Sequence, residues 1–164
     1  MGTKNSPAVP WHGIREAPVV LIRESEPLLA DRAVSILTSR MRSVGPDLEV
    51  TDLDAAEYSA GSLFQVASPS LFGERRLLRV SRVEKCSDEF LADSILYLED
   101  LQPEVVLVLR HAGGNRGKRL LDAIKSSGES GLVVECKEIK KDSDRGSFVE
   151  QEFKARKVSI EPKA

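Results

Sequence analysis

The sequence predicts an α/β fold: a five-stranded, mostly parallel sheet with helices on both faces. Three observations predict it. Short apolar runs alternate with stretches of helical spacing, each link between successive runs is long enough to hold a crossover helix, and the runs are apolar enough to be buried on both faces. At 164 residues, 41% of them hydrophobic, the chain can bury one sizeable core.

The elements follow in order. Residues 1–17 are rich in Gly, Pro and polar residues without periodicity and read as a disordered tail, with Trp11 docking on the body. Val19-Val-Leu-Ile22 is a continuous apolar run after Pro18 and suits a buried strand. Glu26-Pro27 opens a helix, because Pro lacks only an N–H that has no partner in the first turn. Leu29, Ala33, Ile36 and Leu37 line it, and Gly45-Pro46 stops it. Leu48 to Leu53 alternates as the second strand, and a short helix covers Ser62 to Ala67. Arg76 to Val80 is the third strand. Ser87 caps a helix whose apolar face carries Leu91, Ile95 and Leu98. Val105 to Leu109 is the fourth strand, Asn115 caps a helix carrying Leu120, Leu121 and Ile124, and Leu132 to Val134 is the fifth. An amphipathic helix from about Asp144 to Arg156 presents Phe148, Val149 and Phe153. Residues 18–157 therefore form the domain, and 158–164 read as the start of a linker to a further domain.

Composition excludes several classes. No apolar run can span a bilayer and Met1 to Pro10 holds no secretory core, so the expected location is the cytoplasm, with no membrane partner. Cys86 and Cys136 lack metal-site spacing and read as reduced thiols. A net charge of −2 argues against a generally basic nucleic-acid coat.

Sheets of this class hold ligands at the carboxyl ends of their strands. After the first strand, Arg23-Glu24-Ser25-Glu26-Pro27 has no glycine to cradle phosphate and carries two carboxylates that repel it. Gly113-Gly-Asn-Arg-Gly117-Lys118-Arg119 precedes a helix and looks like a phosphate loop. It is one residue short between its glycines and ends in Arg where a hydroxyl should meet magnesium, so a flexible turn with a basic helix start is the better reading. A phospho-acceptor sheet would need an aspartate after the third strand, where Ser81-Arg82-Val83 stands. Asp52 and Asp54 read as a solvated strand end, and His111 has no Ser or Cys partner. No catalytic constellation, cofactor site or metal site emerges, and the chain by itself is not expected to be an enzyme.

A binding surface remains. In Ser68-Pro69-Ser70-Leu71-Phe72-Gly73 two large apolar residues stand between Pro and Gly in a turn-forming stretch. The residues alone leave two outcomes open: a Leu-Phe pair exposed as a hot spot, or both folded back under the loop. Arg75, Arg76, Arg79, Arg82 and Lys85 follow closely and offer steering toward an acidic partner, or simply a solvated face.

These residues resemble a known family. Ser68-Pro-Ser-Leu-Phe-Gly-Glu-Arg-Arg76, the Glu26-Pro-Leu-Leu29 helix start, the Gly-rich segment before Lys118 and Phe148-Val-x-x-Glu-Phe153 together resemble the N-terminal domain of the delta subunit of bacterial DNA polymerase III, a clamp-loader subunit. The resemblance covers about Val19 to Ala164. It implies an AAA+-like, RecA-type (P-loop NTPase-like) fold without a functional phosphate loop, acting as a non-catalytic wrench that binds and helps open the sliding clamp during DNA replication. The implied clamp-binding residues are Leu71 and Phe72, with Ser70, Pro69 and Gly73 setting the loop. Implied partners are the sliding clamp (beta subunit), other clamp-loader subunits through further domains, and primed DNA in the full complex. Arg75, Arg76, Arg116, Lys118 and Arg119 are candidate contacts to DNA or subunits. The family's Gly-Asp-Glu after the first strand is Arg23-Glu24-Ser25-Glu26 here, a departure. Two other readings stay open: a nucleotide-binding enzyme or switch using Gly113 to Arg119, and a DNA-binding domain using the basic clusters.

Overall fold

The computed structural model describes residues 5–137. The helix expected at 144–156 and the linker at 158–164 lie outside the described residues.

Six parallel strands form one sheet in the order β1-β6-β2-β5-β4-β3. They are β1 (Ala8–Pro10), β2 (Val19–Glu24), β3 (Glu49–Asp54), β4 (Arg76–Ser81), β5 (Val105–His111) and β6 (Gly131–Cys136). The central strands are continuous apolar runs because both faces are covered: Val19 to Ile22 and Val105 to Leu109 are buried throughout. The helices are α1 (Pro27–Val44), α2 (Ser62–Ala67), α3 (Asp88–Leu98) and α4 (Lys118–Lys125). One core lies under α1, where Leu29, Ala33, Leu37 and Met41 meet Val20, Ile22, Val106 and Val108. The other lies under α2, α3 and α4, where Leu63, Phe90, Tyr97 and Leu120 meet Val19, Leu21, Leu78 and Leu107. The result is an α/β fold, a parallel sheet with helices on both faces.

The sixth strand lies inside the segment expected to be a disordered tail. Ala8–Pro10 pairs in parallel with Val133 to Glu135, and the Val133 N–H donates to the Pro7 carbonyl at 2.9 Å. Ile14 is fully buried under α1, and Arg40 donates to its carbonyl at 2.8 Å. Three residues, the last of them a proline, carry no period of their own, so this strand exists only through its partner.

Two further expectations are corrected. Asn115 does not cap α4; the cap position is Gly117 in a left-handed conformation, without a side-chain cap. In α3 the Ser87 cap stands, its hydroxyl accepting the Phe90 N–H at 3.2 Å. The deepest face, however, is Phe90, Ser94 and Tyr97, with Leu91, Ile95 and Leu98 packed along its border. Ser94 can sit in the core because its hydroxyl donates to the Phe90 carbonyl at 2.7 Å.

Candidate functional site at the amino end of the sheet

A parallel sheet has two unlike ends. At the carboxyl end, where this class of sheet takes its ligands, the polar groups are engaged with one another. After β2 the N–H groups of Ser25 and Glu26 both donate to the Cys136 carbonyl, at 3.0 and 3.2 Å. Those are donors a phosphate would need. Glu24 accepts from Arg110 at 2.7 Å, and the same guanidinium reaches Asp31 at 2.8 Å.

The Gly113–Arg119 turn is built as a joint. Buried His111 accepts the Gly113 N–H on Nδ1 at 3.0 Å, which leaves Nε2 as the donor to the Arg116 carbonyl at 2.8 Å. Arg116 turns back to the Cys86 carbonyl at 2.9 Å and to Asp88 at 2.6 Å. Gly117 has φ +79°, and a Cβ there would lie 3.6 Å from the Cys86 sulfur. Lys118 and Arg119 are exposed at the start of α4. Burial pushes the Cys86 thiol up, and pushes Cys136 up to about 12, with Glu24 adding to the effect; both act as core residues.

The basic residues do not assemble into one patch. Arg79 grips Asp52 through two bonds of 2.6 and 2.9 Å, Arg82 grips Asp54, and Arg75 pairs with Glu16 and Glu104. Asp52 and Asp54 are therefore not a merely solvated strand end: each carboxyl is held below its usual range by its arginine's hydrogen bonds. Arg75 and Arg76 stand where β4 begins, whereas Arg116, Lys118 and Arg119 follow the end of β5. Strands of this length separate the two groups by about 20 Å. Among the described residues, no group of three or more His, Cys, Asp or Glu could hold a metal ion, and no helix is long and apolar enough to cross a membrane.

The amino end is different. Between α2 and β4 the chain makes a tight turn closed by the Gly73 N–H, which donates to the Ser70 carbonyl at 3.3 Å. Leu71 and Phe72 occupy the two corners, and corner side chains point away from the closing bond. Leu71 is accordingly 98% exposed and Phe72 85%, which resolves the alternative left open by the residues alone. Ser70 fixes the turn twice, accepting the Phe72 N–H at 3.2 Å and donating to Glu74 at 2.6 Å. Gly73 takes φ +71°, which a side chain would strain.

Helix α2, which carries the turn, has only six residues, too few to be stable alone. Other elements hold both its ends. At its start Asp93 of α3 accepts the Gly61 N–H and the Tyr58 hydroxyl, each at 2.7 Å, while that hydroxyl accepts the Leu63 N–H at 2.8 Å. These bonds replace the missing side-chain cap. Burial and the Asp93 contact push the Tyr58 hydroxyl up to about 12, so it stays protonated and keeps donating. At the other end Arg76 donates to the carbonyls of Val66 and Ser68, at 2.8 and 2.6 Å, with Glu49 beside it at 3.4 Å. Arg76 thus ties the turn to the sheet instead of facing outward. Tyr58, Asp93 and Glu74 carry no sequence signal for this role; only the Ser–Pro–Ser…Gly frame was visible.

The fold and the presented turn define a class: a parallel α/β domain whose polar groups at the carboxyl end pair with one another and whose opposite end displays two apolar residues. No family model and no curated protein matches the chain. Among solved structures it is similar in fold to the Bacillus subtilis DNA clamp loader delta protein (YqeN), with a TM-score of 0.55 and 22% identity over 76% of this chain. The match spans 40% of that longer protein.

Proposed function

We propose that this chain is the clamp-binding domain of a delta-type clamp-loader subunit, non-catalytic by itself, working in DNA replication. The observation that carries the reading is the Ser70–Gly73 turn, which exposes Leu71 and Phe72 on a tethered helix. Exposing two large apolar side chains to water is unfavourable unless a partner covers them. The delta-like fold supplies the partner: the sliding clamp, whose hydrophobic pocket takes Leu71 and Phe72, with Pro69, Ser70 and Gly73 fixing their direction. Other loader subunits, and primed DNA in the assembled loader, are engaged through domains beyond this one. Arg116, Lys118 and Arg119 remain candidates for such contacts, while Arg75 and Arg76 act within the fold.

The mechanism is differential binding. A rigid tip that fits a distorted clamp edge better than the closed ring shifts the ring toward opening, by no more than that difference in affinity. A floppy tip would lose the effect, because the clamp could close around it. The tethers on both ends of α2 serve that need.

The test is surface plasmon resonance of the chain against the sliding clamp of its own organism, beside Leu71→Ala/Phe72→Ala. Both side chains are exposed, so circular dichroism and thermal melting stay at the wild-type values. Two buried hot-spot side chains cost about 2 kcal/mol or more each, so the variant loses about 700-fold or more in affinity. Unchanged affinity in the variant would move the site away from this turn.

A further inference from the structure

Beside the turn, on the same end of the molecule, lies a groove of about 610 Å³ between α2 and the last turn of α3. Its apolar lining is Phe64, Ala67, Pro69 and Leu96, and Glu99 and Asp100 stand on its rim. We propose that this groove receives an apolar side chain with an adjacent lysine or arginine, offered by the same clamp that takes the Leu71–Phe72 tip. The interface is then reciprocal: each protein inserts a side chain into the other. The inference rests on the clamp reading above.

Three observations support it. First, Leu96 is 55% exposed and Phe64 38%, at helix positions whose neighbours Tyr97 and Leu63 are buried, so the groove is an apolar surface left open beside the core. Second, the rim is electrostatically unfinished. A helix ends in partial negative charge, which cations stabilise. Here the last turn of α3 holds no basic residue, Glu99 occupies the cap position and Asp100 follows it. Among the described residues no ion pair joins either carboxylate. Arg76, the nearby cation, is spent on the Val66 and Ser68 carbonyls and on Glu49. A partner's cation would therefore meet two carboxylates and a helix end of one sign. Third, the groove is continuous with the tip. Pro69 lines it and precedes Leu71 by two residues, a reach of about 7 Å at most. A stable interface covers about 800 Å² on each partner, and a leucine and a phenylalanine supply less than half of that. The surface that completes it must lie next to the tip.

The experiment measures clamp binding by surface plasmon resonance at several salt concentrations for wild type, Leu96→Gln, Glu99→Lys and Glu57→Lys, with Leu71→Ala/Phe72→Ala alongside. Glu57→Lys makes the same charge change at the carboxyl end of the sheet. Leu96→Gln is expected to raise the dissociation rate about five-fold or more, and Glu99→Lys to lower the association rate and flatten its salt dependence. Glu57→Lys stays within about two-fold of wild type. If Leu96→Gln and Glu99→Lys bind as wild type while the tip variant fails, the groove assignment is overturned and the tip reading stands. If the tip variant binds as wild type, the tip reading falls and the groove assignment falls with it. If Glu57→Lys weakens binding as much as Glu99→Lys, the effect is net charge and the groove is not the receptor. Self-association of the chain that Leu96→Gln abolishes would assign the groove to a second copy and overturn the proposal.

Discussion

The two ends of this sheet are finished in opposite ways. At the carboxyl end, charged residues and loop N–H groups satisfy one another: Glu24 with Arg110, Asp52 with Arg79, Asp54 with Arg82, and Ser25 and Glu26 with the Cys136 carbonyl. At the amino end, apolar groups are left facing water. Of the six large apolar side chains exposed among the described residues, Val44, Phe64, Leu71, Phe72 and Leu96 lie at the amino end and only Leu28 at the other. The two cores beneath the helices are common to both ends, so the contrast lies in the residues at the ends themselves. The parallel sheet only fixes the distance between them.

Four measurements break or sharpen that contrast, in descending size of effect. Largest is the loss of clamp affinity in Leu71→Ala/Phe72→Ala with stability intact, since it separates binding from folding at the amino end. Next is Arg76→Ala, which does not separate them. It leaves the Val66 and Ser68 carbonyls without their donor, so urea unfolding should show a loss of about 1–3 kcal/mol. Clamp affinity should fall as well, because a loosened tip must be ordered on binding. An Arg76→Ala protein as stable as wild type would mean the tether carries no load.

The third measurement is alkaline stability, which reads two groups that burial holds protonated. Cys136 at the end of β6 and Tyr58 just before α2 both have native pKa values pushed up to about 12, from ordinary values of 9.0 and 10.0. The native state therefore keeps protons that the unfolded chain releases. Their stabilising contribution is whole below pH 9.0 for Cys136 and 10.0 for Tyr58, and is lost as the pH climbs to about 12. Urea midpoints should decline across that window, and Cys136→Ala should flatten the part that begins near pH 9.0. A wild-type midpoint that holds steady through it would contradict the buried, protonated state of both groups. Smallest is Lys118→Ala/Arg119→Ala, which should leave clamp affinity within about two-fold of wild type. A fluorescent nucleotide titration should show no saturable binding for either protein; saturable binding that this variant loses would return the function to the carboxyl end.

Much of this was legible in the chain because it is written in local periods. Val19 to Ile22 and Val105 to Leu109 read as buried strands, and Ser62 to Ala67, Ser87 and Gly45 marked helix limits where the structure has them. The Leu71–Phe72 pair stood out because Pro69 and Gly73 frame it. What stayed hidden depends on contacts distant in sequence. Ala8–Pro10 becomes a strand only by lying against β6, more than 120 residues away. Whether Leu71 and Phe72 point outward was decided by the hydrogen bond from Gly73 to Ser70, which spacing cannot reveal. Tyr58 and Asp93 were silent because their partnership spans 35 residues and two elements. Arg76 and Arg79 looked like outward-facing charge, yet their partners, Glu49 and Asp52, sit across a strand pairing.

The short first strand also governs how the protein behaves in concentrated solution. Pro7 and Pro10 flank or end it, and neither has an N–H to offer, so the ladder terminates there and an incoming chain finds a poor template. A shortened chain beginning at Pro18, where composition alone would start the domain, would leave β6 as a bare margin of Leu132, Val133 and Val134. That margin would recruit strands from neighbouring molecules, and the shortened protein would be lost to aggregates before its exposed turn could be assayed.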